Sequence, residues 1–217
     1  MRTFEGMTSS AAEILRQQLR EKFPQAHGVR AEPQVPVPGQ KPFHIETFPV
    51  GAISEVVPAG PVAGILLMVA GLLGEPDEWS PHPELVLIDG ADGFDPDSFE
   101  DVACSKLLWV RCRSALEMAK AADLLIHDGN LPFILLDATG LDRRDLASIP
   151  ASAWLRMKQT AERNGSRVAI MAPYPLVPCA SLRLTLSADL SLHHFDVSRA
   201  DLLARLSPVS QSLRRAT

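Results

Sequence analysis

The segment whose residue types come closest to a catalytic site is EVVPAGPVAGILL, residues 55–67, where a glycine-containing turn joins a predicted strand to an apolar helix. In a phosphate-binding loop of this form, backbone N–H groups hold the phosphates, a lysine neutralises them and a serine or threonine hydroxyl holds magnesium. Gly60 and Gly64 fit that pattern, but Ile65 and Leu66 stand where the lysine and the hydroxyl residue belong. The loop is also one residue too short. We therefore expect this degenerate site to bind no nucleotide or other cofactor.

Two aspartates end predicted apolar strands. Asp137 follows ILL and Asp89 follows LVLI. An aspartate in this position orients the metal ion in nucleotide hydrolases, but it also occurs because the helix that follows a strand favours negative charge at its N-terminus. The sequence alone leaves both interpretations open.

Other polar clusters do not form a metal site. The acidic residues Asp92, Asp95, Asp97, Glu100 and Asp101 lack the alternating spacing of a calcium loop and indicate a solvated helix start, with Asp95 as N-cap. His193 and His194 are adjacent, so on a strand they point to opposite faces and cannot share a metal ion. The three cysteines include no C-x-x-C pair, which is typical of reduced thiols in the cytoplasm.

Two pairs of arginines are candidates for contact with nucleic acid: Arg143 with Arg144, and Arg214 with Arg215. Two charges in each pair give only weak, salt-sensitive binding. Trp79 lies among prolines and acidic residues, and it fits either a cap on the sheet edge or an anchor at an interface. The basic pairs therefore indicate, at most, weak or indirect binding of nucleic acid.

From residue 43 onward, strand-like and helix-like segments alternate. Strands are predicted at 43–50, 52–57, 83–90, 107–112, 131–140, 166–173 and 181–196, and helices at 64–73, from Asp95, at 114–129 and at 151–165. This alternation is typical of an α/β fold with a mostly parallel sheet covered by helices on both faces. The final strands are predicted to form an antiparallel hairpin at one edge.

The segment before residue 43 has a different character. Residues 9–23 place Leu15, Leu19 and Phe23 on one stripe of a short amphipathic helix, and a proline-rich stretch follows. We interpret residues 1–27 as an N-terminal helix, 28–42 as a linker, 43–198 as the core and 199–217 as a C-terminal tail. A short helix must bury its apolar stripe, so this one is predicted to bind a second copy of the chain or a protein partner.

Composition sets limits on the class of protein. The chain has 217 residues, of which 46% are apolar and 22% charged, values that exclude collagen, coiled coil and global disorder. The net charge of -5 makes a general nucleic-acid coat improbable. The apolar run from Pro61 to Leu73 is too short to cross a bilayer, and the first residues lack the apolar region of a signal peptide. We expect a cytoplasmic protein with no membrane partner.

The order of these segments resembles the RecA recombinase fold. The similarity extends from about Val50 to Leu192 and is most specific in VLIDGADGFDPDSFED and SALEMAKAADLLIHDGNLPFILLDATGL. The resemblance implies a RecA-like mostly parallel sheet with helices on both faces, an antiparallel edge hairpin and an N-terminal helix on a linker.

The departures from RecA bear directly on activity. Besides Ile65 and Leu66, Ala91 stands where the resemblance places the catalytic glutamate. The glutamine that senses nucleotide in RecA is replaced in the region of residues 171–173. Residues 173–180 are much shorter than RecA's second DNA-contacting loop. The resemblance therefore implies that ATP hydrolysis is lost.

A RecA-like core without ATPase residues resembles the ImuA/SulA group of bacterial SOS-response proteins, and the N-terminal helix with its linker is more similar to ImuA. This resemblance implies an accessory factor of translesion synthesis that binds a polymerase subunit or recombinase, with a homo-oligomer through the N-terminal helix as a further expectation. Two alternatives stay open: a divergent nucleotide hydrolase that uses Asp137, and a SulA-like inhibitor of cell division.

Overall fold

A computed structural model describes residues 43–60, 65–74, 83–188 and 197–212 of the chain. The strands are β1 (Ala52–Pro58), β2 (Leu85–Asp89), β3 (Leu107–Arg111), β4 (Phe133–Asp137), β5 (Arg167–Met171), β6 (Leu182–Ala188) and β7 (Leu206–Ser212). The α-helices are α1 (Ile65–Leu73), α2 (Asp101–Ser105), α3 (Ala115–Asp128), α4 (Arg143–Leu146), α5 (Ala151–Asn164) and α6 (Arg199–Leu203). Short 3-10 helices occupy Ile45–Thr47 and Pro96–Ser98.

The strands form one seven-stranded sheet in the order β3-β2-β4-β5-β1-β6-β7. Every neighbouring pair is parallel except β6 and β7, which are antiparallel. This confirms the predicted architecture: a mostly parallel sheet with an antiparallel hairpin at one edge, as in a RecA-like fold. All the parallel strands end at the same edge of the sheet, where their loops can bring polar residues together.

Alternate residues of the strands supply two hydrophobic clusters. Val86 and Ile88 belong to a cluster with α3 and α5, whereas Leu85 and Leu87 belong to a cluster with α1 and Phe43. Because neighbouring residues on a strand point to opposite faces, helices cover both faces of the sheet.

The two long helices begin and end as their sequences predict. The Ser114 hydroxyl accepts a hydrogen bond from the backbone N–H of Glu117 at 3.2 Å, which caps α3. Gly129 ends α3 with φ 73°, and Gly165 ends α5 with φ 69°. Glycine adopts this left-handed conformation with little strain, so it sets both helix ends.

Three sequence predictions are wrong. The predicted hairpin joins residues 166–173 to 181–196, but β5 and β6 both pair in parallel with β1, which lies between them. Residues 43–50 contain the 3-10 helix Ile45–Thr47 in place of a strand, because Phe43 and Phe48 both reach the core and the chain must turn between them. Residues 199–212 are not a tail. They form α6 and β7, and β7 supplies the antiparallel partner of β6.

Candidate functional site

The two aspartates singled out in the sequence lie side by side at the carboxyl edge of the sheet. Asp89 ends β2 and Asp137 ends β4, and the two residues are directly paired in the register of these strands. Both side chains are buried, with 1% of Asp89 and 7% of Asp137 exposed. The structure therefore brings together the two carboxylates that a metal-dependent hydrolase would use.

The carboxylate of Asp89 is fully engaged by its own surroundings. Oδ1 accepts hydrogen bonds from the backbone N–H groups of Ala91 at 3.2 Å and Gly93 at 3.0 Å. Oδ2 accepts hydrogen bonds from Phe94 N–H at 2.9 Å and from the indole N–H of Trp109 at 3.3 Å. Asp89 thus holds the loop after β2 in shape and fixes that loop to β3.

The carboxylate of Asp137 is bound through one oxygen. Its Oδ1 accepts hydrogen bonds from both the backbone N–H of Thr139, at 2.9 Å, and the Thr139 hydroxyl, at 2.6 Å. Burial raises the pKa of the Asp137 carboxyl above its usual value, although the Thr139 hydrogen bonds oppose this shift. Asp137 therefore shapes the turn after β4, and its burial disfavours the charged form of the carboxyl.

The loops that follow these two aspartates are packed tightly against each other. Gly90 N–H donates to the carbonyl oxygen of Asp137 at 2.9 Å, and a Cβ at Gly90 would lie 2.8 Å from that oxygen. A Cβ at Gly140 would lie 2.6 Å from the Cβ of Ala91. Ala91 thus lies beside a second loop that approaches it closely.

The segment that the sequence suggests is a degenerate phosphate loop is described only in part. Gly60 is exposed, and a Cβ added there would meet nothing within 4 Å. Ile65 and Leu66 begin α1, and Gly64 lies outside the described residues. Ile65 and Leu66 at the start of this helix offer neither a cation for phosphate nor a hydroxyl for magnesium.

The arginine pair Arg143 and Arg144 lies on α4, near the same edge. Both side chains are exposed, and the guanidinium of Arg143 stacks 5.1 Å from the ring centroid of Tyr174. Asp142 caps α4, and Asp145 accepts a hydrogen bond from Ala115 N–H at 2.7 Å. Because Asp142 and Asp145 flank the two arginines, residues 142–145 carry no net positive charge to attract nucleic acid.

Other residues predicted to have functional roles lie outside the described part of the chain. These are Leu15, Leu19, Phe23, Trp79, His193, His194, Arg214 and Arg215. Within the acidic cluster, Asp95 is the N-cap of Pro96–Ser98, as predicted, and accepts from Asp97 N–H at 3.2 Å. Asp92 forms a bidentate ion pair with Arg111, with both distances 2.6 Å, and this lowers the pKa of Asp92.

Sequence reasoning missed Glu55, a fully buried acidic residue on the interior strand β1. Its Oε2 lies 2.6 Å from Nε of Arg183 on β6, and its Oε1 accepts hydrogen bonds from the backbone N–H groups of Leu176 and Val177. Glu55 thereby ties the connection between β5 and β6 to β1, the strand between them. The available signal was a single acid in a strand whose other residues, apart from Ser54, are apolar.

Within the described ranges, no group of three or more His, Cys, Asp or Glu side chains is arranged to hold a metal ion. No helix in those ranges is long and apolar enough to cross a bilayer.

No protein-family model matches this sequence, and a search of curated proteins finds no match either.

Proposed function

We propose that this chain is a non-catalytic accessory protein of the bacterial DNA-damage response, an ImuA-like factor that supports translesion synthesis in the cytoplasm through protein contacts. The resemblance of the sequence to the ImuA/SulA group suggests the biological role, and the observation that supports a non-catalytic protein is the engagement of Asp89. All four of its hydrogen bonds come from its own loop and from Trp109. The neighbouring position that would supply a catalytic acid in RecA is Ala91.

The packing of the two loops supports the same conclusion. A nucleotide hydrolase must leave room at the carboxyl edge for a phosphate, a metal ion and a water molecule. Here the loops after β2 and β4 approach so closely that a methyl group at Gly90 or Gly140 would overlap neighbouring atoms. A scaffold that acts by binding another protein has no need of that space.

Calorimetric titration with ATP and magnesium tests the loss of the nucleotide site. We expect no binding heat at millimolar nucleotide, because Ile65 and Leu66 replace the phosphate-binding pair. A saturable binding isotherm would overturn the proposal and favour the divergent hydrolase.

Deletion of the reading frame in its own organism tests the biological role. If the protein is an ImuA-like factor, we expect damage-induced mutagenesis to fall when the frame is removed. We also expect the intact protein to bind a translesion polymerase or recombinase. If the deletion strain instead keeps its mutagenesis and no longer arrests division after damage, the SulA-like alternative is correct.

A further inference from the structure

The two edges of the sheet are built differently. At one edge, β7 contains Pro208, which has no N–H group to offer to a further strand. At the other edge, β3 consists of Leu107, Leu108, Trp109, Val110 and Arg111 and contains no proline. An apolar edge strand without such protection favours pairing with another strand.

Backbone hydrogen bonds show which groups of β3 point away from the sheet. Leu85 N–H donates to the carbonyl of Lys106 at 3.1 Å, and Cys112 N–H donates to the carbonyl of Asp89 at 2.8 Å. In a parallel ladder, alternate residues bond to the same neighbour, so the even-numbered residues of β3 face β2. Leu107, Trp109 and Arg111 therefore direct their N–H and C=O groups outward, where no other described strand pairs with them.

The side chains of β3 also suit a further strand. Leu108 is 37% exposed, and Val110 is only partly buried. The cations at the two ends of the strand each have an acid of their own. Lys106 lies 4.0 Å from Glu84, and Arg111 lies 2.6 Å from Asp92. A strand placed alongside would therefore meet no uncompensated charge.

We propose that β3 pairs with β3 of a second copy of this chain, antiparallel and about a two-fold axis at Trp109. This register joins all the outward-facing residues: Trp109 pairs with its own counterpart, and Leu107 pairs with Arg111 of the second copy. On one face of the extended sheet, Leu108 lies beside Val110 of the second copy, so its exposed surface is covered.

A second copy fits this edge because the strand is complementary to itself under that two-fold axis. Each end of the paired ribbon carries the Lys106–Glu84 pair of one copy and the Arg111–Asp92 pair of the other, so acids and bases balance at both ends. A five-residue strand pair is small beside the roughly 1,200–2,000 Å² of a stable interface. The dimer is therefore expected to dissociate on dilution.

Sedimentation velocity on the full chain tests the pairing. The parent protein carries Leu15→Asp and Leu19→Asp, so that association through the N-terminal stripe is removed from the measurement. Leu108→Lys is made in that parent, because lysine is a natural guard of edge strands. The matched control is Leu155→Lys, which replaces a leucine that is 50% exposed on α5.

We expect the parent and the Leu155→Lys control to dimerise as concentration rises toward about 100 µM, and Leu108→Lys to stay monomeric. Leu108→Thr, which keeps a strand-favouring residue, is the second variant if the lysine lowers the melting temperature, and it should weaken the dimer at least several-fold. A monomeric parent at about 100 µM, or a Leu108→Lys variant that dimerises as the control does, overturns the proposal.

Discussion

Asp89 and Asp137 end neighbouring strands, yet their surroundings give them different roles. Both oxygens of Asp89 accept hydrogen bonds from groups in two elements, whereas the hydrogen bonds of Asp137 come from Thr139 alone. Asparagine can replace the acceptor at one oxygen but presents an NH₂ group at the other. The same substitution at the two positions therefore separates a structural carboxylate from a dispensable one.

We predict that Asp89→Asn lowers the free energy of unfolding by about 1–3 kcal/mol, because at least one buried N–H group loses its acceptor. Urea denaturation measures this change. Asp137→Asn is the matched control, since it keeps the Oδ1 acceptor for Thr139. Equal losses of stability in the two variants would contradict the role assigned to Asp89.

The contribution of the Asp137 carboxyl to the free energy of unfolding depends on pH with a defined sign. Since burial raises the pKa of Asp137 above its ordinary 3.8, the folded state holds its proton more tightly than the unfolded state does. This contribution favours folding below the ordinary pKa and is lost as pH rises through the folded pKa. At pH 7 we therefore predict that Asp137→Asn is as stable as the wild type or more stable, with partner binding unchanged. A folded variant without biological activity would instead show that the carboxylate is needed for function.

Gly90 lies where the structure leaves no room for a side chain. Its Cβ would lie 2.8 Å from both the carbonyl oxygen of Asp137 and Cδ1 of Leu141. We predict that Gly90→Ala lowers the free energy of unfolding by about 1–3 kcal/mol through overpacking. Gly93→Ala, with nothing within 4 Å of its Cβ, is the control and should change stability little. Thermal unfolding compares them, and a neutral Gly90→Ala would show that the two loops separate easily.

Among the elements, the connection from β5 to β6 depends most on one buried ion pair. Glu55 has no exposed surface and binds both Arg183 and the backbone of this connection. Breaking a buried pair leaves an uncompensated charge, so we predict that Glu55→Gln costs about 3 kcal/mol. Lys158→Gln, which breaks the exposed pair between Lys158 and Glu162, should cost less than about 1 kcal/mol. Similar losses in denaturant titrations of the two variants would contradict this account.

The elements that the sequence predicts well have strong local signals. β2 and β4 are uninterrupted apolar runs, and α3 carries its serine cap and its glycine stop. β7 escapes prediction because LSPVSQS is polar and contains a proline, and it is a strand only because β6 lies alongside it. Residues 43–50 mislead for the opposite reason: their apolar residues are spaced for a strand, but two phenylalanines anchor a turn.

The candidate site was predicted in its residues but not in its contacts. The positions of Asp89 and Asp137 at adjacent strand ends follow from the pattern of apolar runs. The hydrogen bond from Trp109 to Asp89 spans 20 positions of sequence, and the contact of Glu55 with Arg183 spans 128. Such long-range pairings depend on strand order, which local pattern does not specify.

At the scale of the whole molecule, the described residues form a packed core that includes its first residue, Phe43. Phe43 is 0% exposed and Phe48 is 1% exposed, so the packed region begins no later than residue 43. We predict that a chain starting at residue 41 still unfolds cooperatively and that it loses partner binding together with the Leu15, Leu19 and Phe23 stripe. Leu15→Asp with Leu19→Asp in the full chain should have the same effect on binding. Calorimetry and a partner pull-down measure the two properties. A shortened chain that binds normally but melts much earlier would mean that the segment only stabilises the core.

The position of β1 in the sheet has a consequence for biosynthesis. β1 lies between β5 and β6, and Ser54 pairs with Ala169 on one side and Leu182 on the other. Both partners are synthesised long after Ser54. At about 5–20 residues per second, a ribosome needs on the order of ten seconds to make the intervening chain. During that time β1, an interior strand of the finished sheet, has neither neighbour, and its apolar residues are open to chaperones or to other nascent chains. Because the partners of β1 are distant in sequence, slower translation lengthens the time for which β1 is unpaired.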